Sequence, residues 1–259
     1  MPVSSDVTET NEDERNAPPG DGLPVNELFA SLQGEGVLAG VPSTFVRTSG
    51  CNLRCWYCDS YHTSWEPTHA WMDLDAIVDA VEDRDPHHVV LTGGEPLVHD
   101  DSVRLLERLD DRGYHTTVET NGTIAVDAPI DLASISPKLP NSVPTAERDP
   151  VGDGEWAERH DDRRIDLDAI AALLESYDSQ LKFVVADADD VADVDALVAR
   201  IRDATTATVR DDDVLLMPEG ATRDRLAETR TRVAELALDA GYRYTPRLHV
   251  DLWNDAPET

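Results

Sequence analysis

Six short β-prone runs, at residues 43–48, 87–92, 114–120, 130–136, 180–185 and 213–217, are separated by stretches that carry apolar residues at helical spacing. These helical stretches cover residues 73–82, 102–112, 166–177, 191–203 and 223–240, and several begin with acidic residues, which suit a helix N-terminus. Such alternation restricts the chain to a mostly parallel sheet, because parallel neighbours need a crossover and a helix is the usual one. Six units of this kind predict an α/β fold built as an open or partial (βα)6 barrel, with ligands beyond the carboxyl ends of the strands.

At 259 residues the chain is expected to form one catalytic domain over residues 25–253. Residues 1–24 are rich in Glu, Asp, Asn, Pro and Gly with almost no apolar period, and are expected to form a disordered acidic tail. Residues 254–259 read as a C-terminal tail. The stretch 137–164 breaks the strand–helix rhythm with Pro, Asn, Gly and charge, is longer than a usual connection, and is expected to be a surface insertion.

Acidic residues outnumber basic ones 53 to 22, for a formal charge of -31. Self-repulsion on that scale destabilises a compact chain unless salt screens it. The carboxylates run along the whole chain instead of forming one block, so an acidic, salt-adapted surface is expected rather than a docking patch. No basic patch interleaved with aromatics is present, which argues against direct nucleic-acid binding. The chain lacks an apolar run of about eighteen residues and a basic, apolar N-terminal signal, so no membrane partner and a soluble, cytoplasmic protein are expected.

The three cysteines, Cys51, Cys55 and Cys58, fall within eight residues just past the first expected strand, spaced C-x3-C-x2-C. An odd number so closely spaced is a poor disulfide framework. Two metal readings follow: three thiolates at the corners of a four-iron cluster with one iron left open, or a closed Cys3His zinc site completed by His62. At the end of the second expected strand, Leu91-Thr92-Gly93-Gly94-Glu95-Pro96 places adjacent glycines where backbone can approach a ligand, and Glu95 could accept from an ammonium. The same glycines also suit an ordinary strand-to-helix turn. The two lysines of the chain are Lys138, just after a strand, and Lys182, inside one.

The cysteine motif, with Tyr57 before its last cysteine, resembles the radical S-adenosylmethionine superfamily. A narrower pattern lies in Glu27-Leu28-Phe29-Ala30-Ser31-Leu32-Gln33-Gly34-Glu35-Gly36 and Gly40-Val41-Pro42-Ser43-Thr44-Phe45-Val46-Arg47. It resembles the 7-carboxy-7-deazaguanine synthase family over about Val25 to Trp253, the insertion and tails falling outside. The resemblance implies one 4Fe-4S cluster on Cys51, Cys55 and Cys58. It implies S-adenosylmethionine held by Tyr57, Cys58, Asp59, Gly94, Glu95, the Ser136-Pro137-Lys138 turn and Met217-Pro218-Glu219-Gly220. It further implies magnesium on Ser60, substrate contacts from Leu32, Gln33, Gly34, Arg47 and Thr92, and Glu119 and His249 as catalytic candidates that position substrate or move protons.

Physical chemistry is compatible with these roles. The Gln33 amide and nearby backbone suit the ring donors and acceptors of a pterin, Arg47 a carboxylate, and Ser60 a hard cation. The implied reaction starts from 6-carboxy-5,6,7,8-tetrahydropterin: hydrogen abstraction at C6, radical ring contraction, hydrogen return and loss of ammonia, giving 7-carboxy-7-deazaguanine for queuosine- or archaeosine-type nucleosides. A flavodoxin or ferredoxin reductant and a homodimer are implied as partners. Some family members use their terminal carboxylate on the substrate; this chain runs on to Thr259, so that contact is not assigned. A glycyl-radical activating enzyme would share the cysteine loop but gives no reason for the Gln33 segment, and a zinc-dependent binding module would give none for the strand-end glycines.

Overall fold

The computed structural model describes residues 20–254 and 256. In chain order its strands are β1 (Gly22–Leu32), β2 (Pro42–Thr48), β3 (Ala70–Asp73), β4 (His88–Gly93), β5 (His115–Thr120), β6 (Leu132–Ile135), β7 (Ser179–Val185), β8 (Val214–Pro218) and β9 (Arg243–Tyr244). The helices are α1 (Tyr61–Ser64), α2 (Leu74–Glu82), α3 (Asp101–Asp110), α4 (Ala157–Arg163), α5 (Leu167–Ser176), α6 (Ala188–Ala204), α7 (Arg223–Ala240) and α8 (Leu248–Trp253). All nine strands join one sheet in the order β3-β1-β2-β4-β5-β6-β7-β8-β9. From β2 to β9 every pairing is parallel, and β1 lies antiparallel between β2 and β3.

The period-2 pattern of the parallel strands divides two environments. One face, including Val46, Leu91, Val118, Ile135, Phe183 and Leu216, merges with the apolar stripes of α2, α3, α5, α6 and α7 into a single buried cluster. The alternate positions on β2, β5 and β7 are largely polar: Ser43 and Arg47, Thr117 and Glu119, Gln180 and Lys182. These polar side chains line the concave side. The β1–β2 turn crosses that side and meets the far end of the sheet, where Gly36 N–H donates to Thr245 Oγ1 at 2.6 Å and Val37 N–H to Gln180 Oε1 at 2.8 Å. The sheet therefore curls as a partial barrel. Asp166, Asp187 and Thr222 cap α5, α6 and α7 with side-chain oxygens, and Gly241 ends α7 in the left-handed conformation.

All six β-prone runs are strands, and the expected helices match α2, α3, α5, α6 and α7. Three expectations need correction. The disordered tail at 1–24 ends too late: β1 starts at Gly22, Leu23 and Val25 are fully buried, and Gly22 to Val25 pair with Ala70 to Asp73. A register shift between Val25 and Glu27 interrupts the alternation that would have announced this strand. The part of that tail at residues 1–19 lies outside the described residues. The stretch 137–164 is not merely a surface insertion, since Ser142 and His160 are fully buried and α4 lies within it. Its inward groups form polar contacts with backbone, which hydrophobic periodicity does not reveal. Residue 254, expected in a tail, accepts through its side chain from Arg223 N–H at 2.8 Å. Among the described residues no helix is long and apolar enough to cross a membrane.

Near the start of β4, His88 joins three strands: Nδ1 lies 2.7 Å from Ser43 Oγ on β2 and Nε2 lies 2.7 Å from Thr117 Oγ1 on β5. Burial, reinforced by His115, pushes its pKa down from 6.5 to about 4. The unfolded chain therefore binds the proton more readily, and stability falls as pH is lowered through that window. Denaturant titrations from pH 7 to 4 should show this acid-side slope, and His88→Gln, which cannot titrate, should remove part of it.

Candidate active site

The cysteine loop leaves β2 through Ser49 and Gly50. Gly50 N–H donates to Thr63 O at 2.8 Å and Leu53 is buried beneath the loop. Two thiols already accept hydrogen bonds, Cys51 from Leu53 N–H at 3.4 Å and Cys58 from Ser64 Oγ at 3.2 Å. Burial pushes the Cys51 thiol up to about 12 and raises Cys55 and Cys58 as well. The thiols are thus protonated near neutrality, and bound iron must displace those protons. Among the described residues no three His, Cys, Asp or Glu side chains converge on a single ion. His62 is exposed on α1, so the closed Cys3His zinc arrangement is not formed. Free thiols on one wrapped loop, with backbone and hydroxyl donors on two sulfurs, suit a larger cluster.

The turn after β4 is bonded to the base of this loop. Gly94 N–H donates to Thr48 O at 3.1 Å and Glu95 N–H to Gly50 O at 2.8 Å. A Cβ on Gly94 would stand 2.3 Å from Gly50 O and 2.8 Å from Cys51 Cβ, so only glycine allows this approach. The Glu95 side chain departs from expectation. It is fully buried, and its oxygens accept from Leu97 N–H, Thr120 Oγ1 and Asn121 N–H. That set uses the carboxylate to anchor β4 to β5, leaving backbone carbonyls of the turn for a ligand ammonium. Across the loop, Lys138 Nζ folds back onto Ser136 O at 2.7 Å and Ser136 Oγ at 2.8 Å. It has no carboxylate partner among the described residues although the chain is rich in acid. A half-buried ammonium of this kind beside a cysteine loop fits the carboxylate of an amino-acid cofactor.

Buried ion pairs fill the other half of the mouth. Lys182 Nζ lies 2.7 Å from Glu35 Oε2 and 2.8 Å from Glu119 Oε2. Arg247 bonds Glu35 Oε1 at 3.1 Å, the Gly220 carbonyl at 2.6 Å and the Asp59 carboxylate. Burial alone would raise the Glu35 carboxyl, but Lys182 and Arg247 outweigh it and hold Glu35 well below the usual carboxylate range. Burial likewise opposes charge on Lys182, and Glu119 with Glu35 more than reverses it. Gln33 joins the set, donating from Nε2 to Glu119 Oε1 at 3.2 Å and accepting Glu35 N–H at Oε1, also at 3.2 Å. His249 stacks so tightly on Gly34 that a Cβ there would meet its Nδ1 at 1.9 Å, and Gly34 O accepts from Leu248 N–H at 2.8 Å. Burial pushes the His249 pKa down, leaving a neutral ring.

Arg47 and Ser60 form a third corner. Arg47 Nη1 donates to Ser60 Oγ at 3.0 Å, and Ser60 in turn reaches Asp59 Oδ1 at 3.2 Å. Arg47 Nε lies 2.8 Å from Glu27 Oε2 but is buried without an aligned hydrogen bond, a donor suited to an incoming carboxylate. Thr92, at the end of β4, pairs with Arg47 on β2. Met217 and Pro218 are buried at the end of β8, and Glu219 is held by Arg225. Leu32 ends β1 opposite Pro42, and Tyr57 Oη reaches Asn141 Oδ1 at 3.5 Å.

The chain is similar in sequence and fold to known proteins. Residues 45–141 match the radical SAM superfamily. A 7-carboxy-7-deazaguanine synthase of Halobacterium salinarum is 64% identical over the whole length of both chains. The chain belongs to the 7-carboxy-7-deazaguanine synthase family. Synthases of Rhodopirellula baltica and Pyrobaculum aerophilum are 39% and 34% identical, over 88% and 90% of this chain and 85% and 95% of theirs. The crystal structure of QueE from Escherichia coli superposes with a TM-score of 0.61 at 25% identity, covering 88% of this chain and 95% of that one. Membership brings with it a 4Fe-4S cluster, S-adenosylmethionine and magnesium; the three cysteine thiols suit iron, the Lys138 ammonium suits a carboxylate, and the Ser60 hydroxyl suits a hard cation.

Three members of the site were not assigned from sequence: Glu35, Arg247 and, in its role, Lys182. A buried lysine in a strand of a lysine-poor chain was the available signal; nothing local marks Arg247. Lys182→Met leaves Glu35 and Glu119 without their shared cation, and breaking such a buried set costs about 3–5 kcal/mol. Urea unfolding should record a loss of that order.

Proposed function

We propose that this chain is a 7-carboxy-7-deazaguanine synthase that converts 6-carboxy-5,6,7,8-tetrahydropterin into 7-carboxy-7-deazaguanine with loss of ammonia, on the path to deazapurine nucleosides. The observation that carries this reading is the meeting, in one mouth, of the cysteine loop with the Gln33–Glu35–Glu119–Lys182 array. When bound, the cluster and S-adenosylmethionine supply one-electron chemistry able to remove a hydrogen atom from carbon.

The chain's own residues bind, orient and protect. Lys138 offers its ammonium to the cofactor carboxylate, and the carbonyls around Gly94 offer acceptors to its amino group. Arg47, through its unaligned Nε, would receive the substrate carboxylate, and the Ser60 hydroxyl oxygen, which accepts from Arg47 Nη1, would hold magnesium, a hard cation that would grip the same carboxylate. Gln33, Glu35 and Glu119 present a fixed set of donors and acceptors to the pterin ring, pinned by Lys182 and Arg247 so that little reorganisation accompanies binding. His249, neutral and against Gly34, can hold a proton during the later loss of ammonia. The curled sheet and the crossing β1–β2 turn shield these groups from water.

A flavodoxin or ferredoxin would supply the electron, and the protein would act as a cytoplasmic homodimer; family likeness supports both. The excess of 53 acidic over 22 basic residues supports operation in concentrated salt.

Anaerobically reconstituted, reduced protein given S-adenosylmethionine, magnesium and 6-carboxytetrahydropterin in high salt should yield 7-carboxy-7-deazaguanine by mass spectrometry. Cys55→Ala should abolish it. Cofactor cleavage without that product would overturn the substrate assignment and keep the radical class.

A further inference from the structure

The segment between β6 and α5 supports the cysteine loop directly. His160, with no exposed surface, sits between the two. Its Nδ1 accepts from Arg54 N–H at 3.0 Å, and its Nε2 lies 2.8 Å from Ser142 Oγ. A neutral imidazole that accepts at Nδ1 carries its proton on Nε2 and donates there. Ser142 completes the relay by donating to Leu139 O at 2.7 Å. No polar atom of the ring is left over.

The same segment takes the next backbone donor. Trp56 N–H donates to Ser142 O at 3.2 Å and the Trp56 indole to Asn141 O at 2.6 Å. Cys55 lies between these two held N–H groups, and its own carbonyl accepts from Cys58 N–H at 3.3 Å and the Trp65 indole at 2.9 Å. Guanidinium stacking ties the surface above: Arg54 lies 4.5 Å from the Trp156 ring centre and Arg148 5.5 Å from that of Trp56. The peptide group that precedes Arg54 and the one that follows Cys55 are therefore fixed by residues more than eighty positions further along the chain, which brackets Cys55 at one residue's remove on one side and directly on the other.

We propose that His160 is a positioning residue for the iron-sulfur cluster, holding the Arg54 N–H so that Cys55 is presented in its ligating conformation before iron arrives. The inference rests on the reading of Cys51, Cys55 and Cys58 as cluster ligands. A merely structural histidine would affect stability and leave the retention of iron unchanged.

The test compares wild type, His160→Phe, His160→Gln and Ser142→Ala after anaerobic reconstitution. The readouts are iron and sulfide per chain, the rate of bleaching by a chelator, and the EPR spectrum of the reduced cluster. Loss of an outer-shell partner lowers metal affinity by about 10- to 100-fold, so bleaching of His160→Phe should be roughly tenfold faster with an altered spectrum. Gln, which can both accept from Arg54 and donate to Ser142, should restore most of the retention. A His160→Phe protein with wild-type circular dichroism, bleaching rate and spectrum overturns the proposal. Should Phe prevent folding, Ser142→Ala decides: faster bleaching supports the brace, an unchanged rate refutes it. If wild type takes up no cluster, the ligand reading fails first and this inference falls with it.

Discussion

Lys182 is the cation on which the mouth of this barrel depends. It stands on a strand whose neighbouring positions, Leu181 and Phe183, are in the apolar core, so its ammonium has only the concave side to enter. There it draws together Glu119 from β5 and Glu35 from the β1–β2 turn, groups that would repel one another without it. Arg247 extends the set to Asp59 beside the last cysteine and to the backbone of Gly220. The residues proposed to face substrate and cofactor are thereby joined through one network, buried at Lys182 and Arg247 and open to solvent at Asp59. Such a network contributes little net stability over an apolar filling; what it confers here is a fixed relation between two binding surfaces.

The cysteine loop is built on a different economy. Its three thiols, Cys55 buried and Cys51 and Cys58 partly so, are protonated, and its shape comes from hydrogen bonds, most of them from backbone: to Thr63 and the Gly94–Glu95 turn on one side, to Ser142, Asn141 and His160 on the other. Side-chain packing alone would leave a loop so rich in polar backbone with several donors unmatched. The segment 137–164 matches them, which is why a stretch that looks aperiodic is ordered at its centre.

Much of this was legible in the sequence because it depends on local patterns. The β-prone runs and the helical spacing located the parallel strands and their crossovers, and the cysteine spacing with Gly93-Gly94 located the cofactor end. What was not legible depends on distant partners. β1 is disguised by its bulge near Glu27, β3 is four residues long, and β9 has two. Glu95 reads as an acceptor for a ligand ammonium, yet Thr120 at the end of the next strand and Asn121 just beyond it claim its carboxylate. Arg247 has no motif around it, and its importance appears only when residues separated by 188 and 212 positions are brought into contact. His160 has nothing local to mark it within a polar, aperiodic stretch.

The contact of the β1–β2 turn with Thr245, Arg247 and Leu248 has a consequence for how the protein is made. Gly36 and Thr245 are 209 positions apart, and Glu35 and Arg247 are 212. Contacts of such separation form late, after the loop entropy between them has been overcome. During synthesis the strands and helices can pair as they emerge, but the mouth proposed to receive substrate lacks a wall until α8 has left the ribosome. The hydrogen-bond partners of residues 51–58 extend only to residue 160 and are in place much earlier, while Asp59 beside them waits for Arg247. The three cysteines can therefore be in place before the far wall of the mouth exists, an order of assembly written into which residues close the barrel.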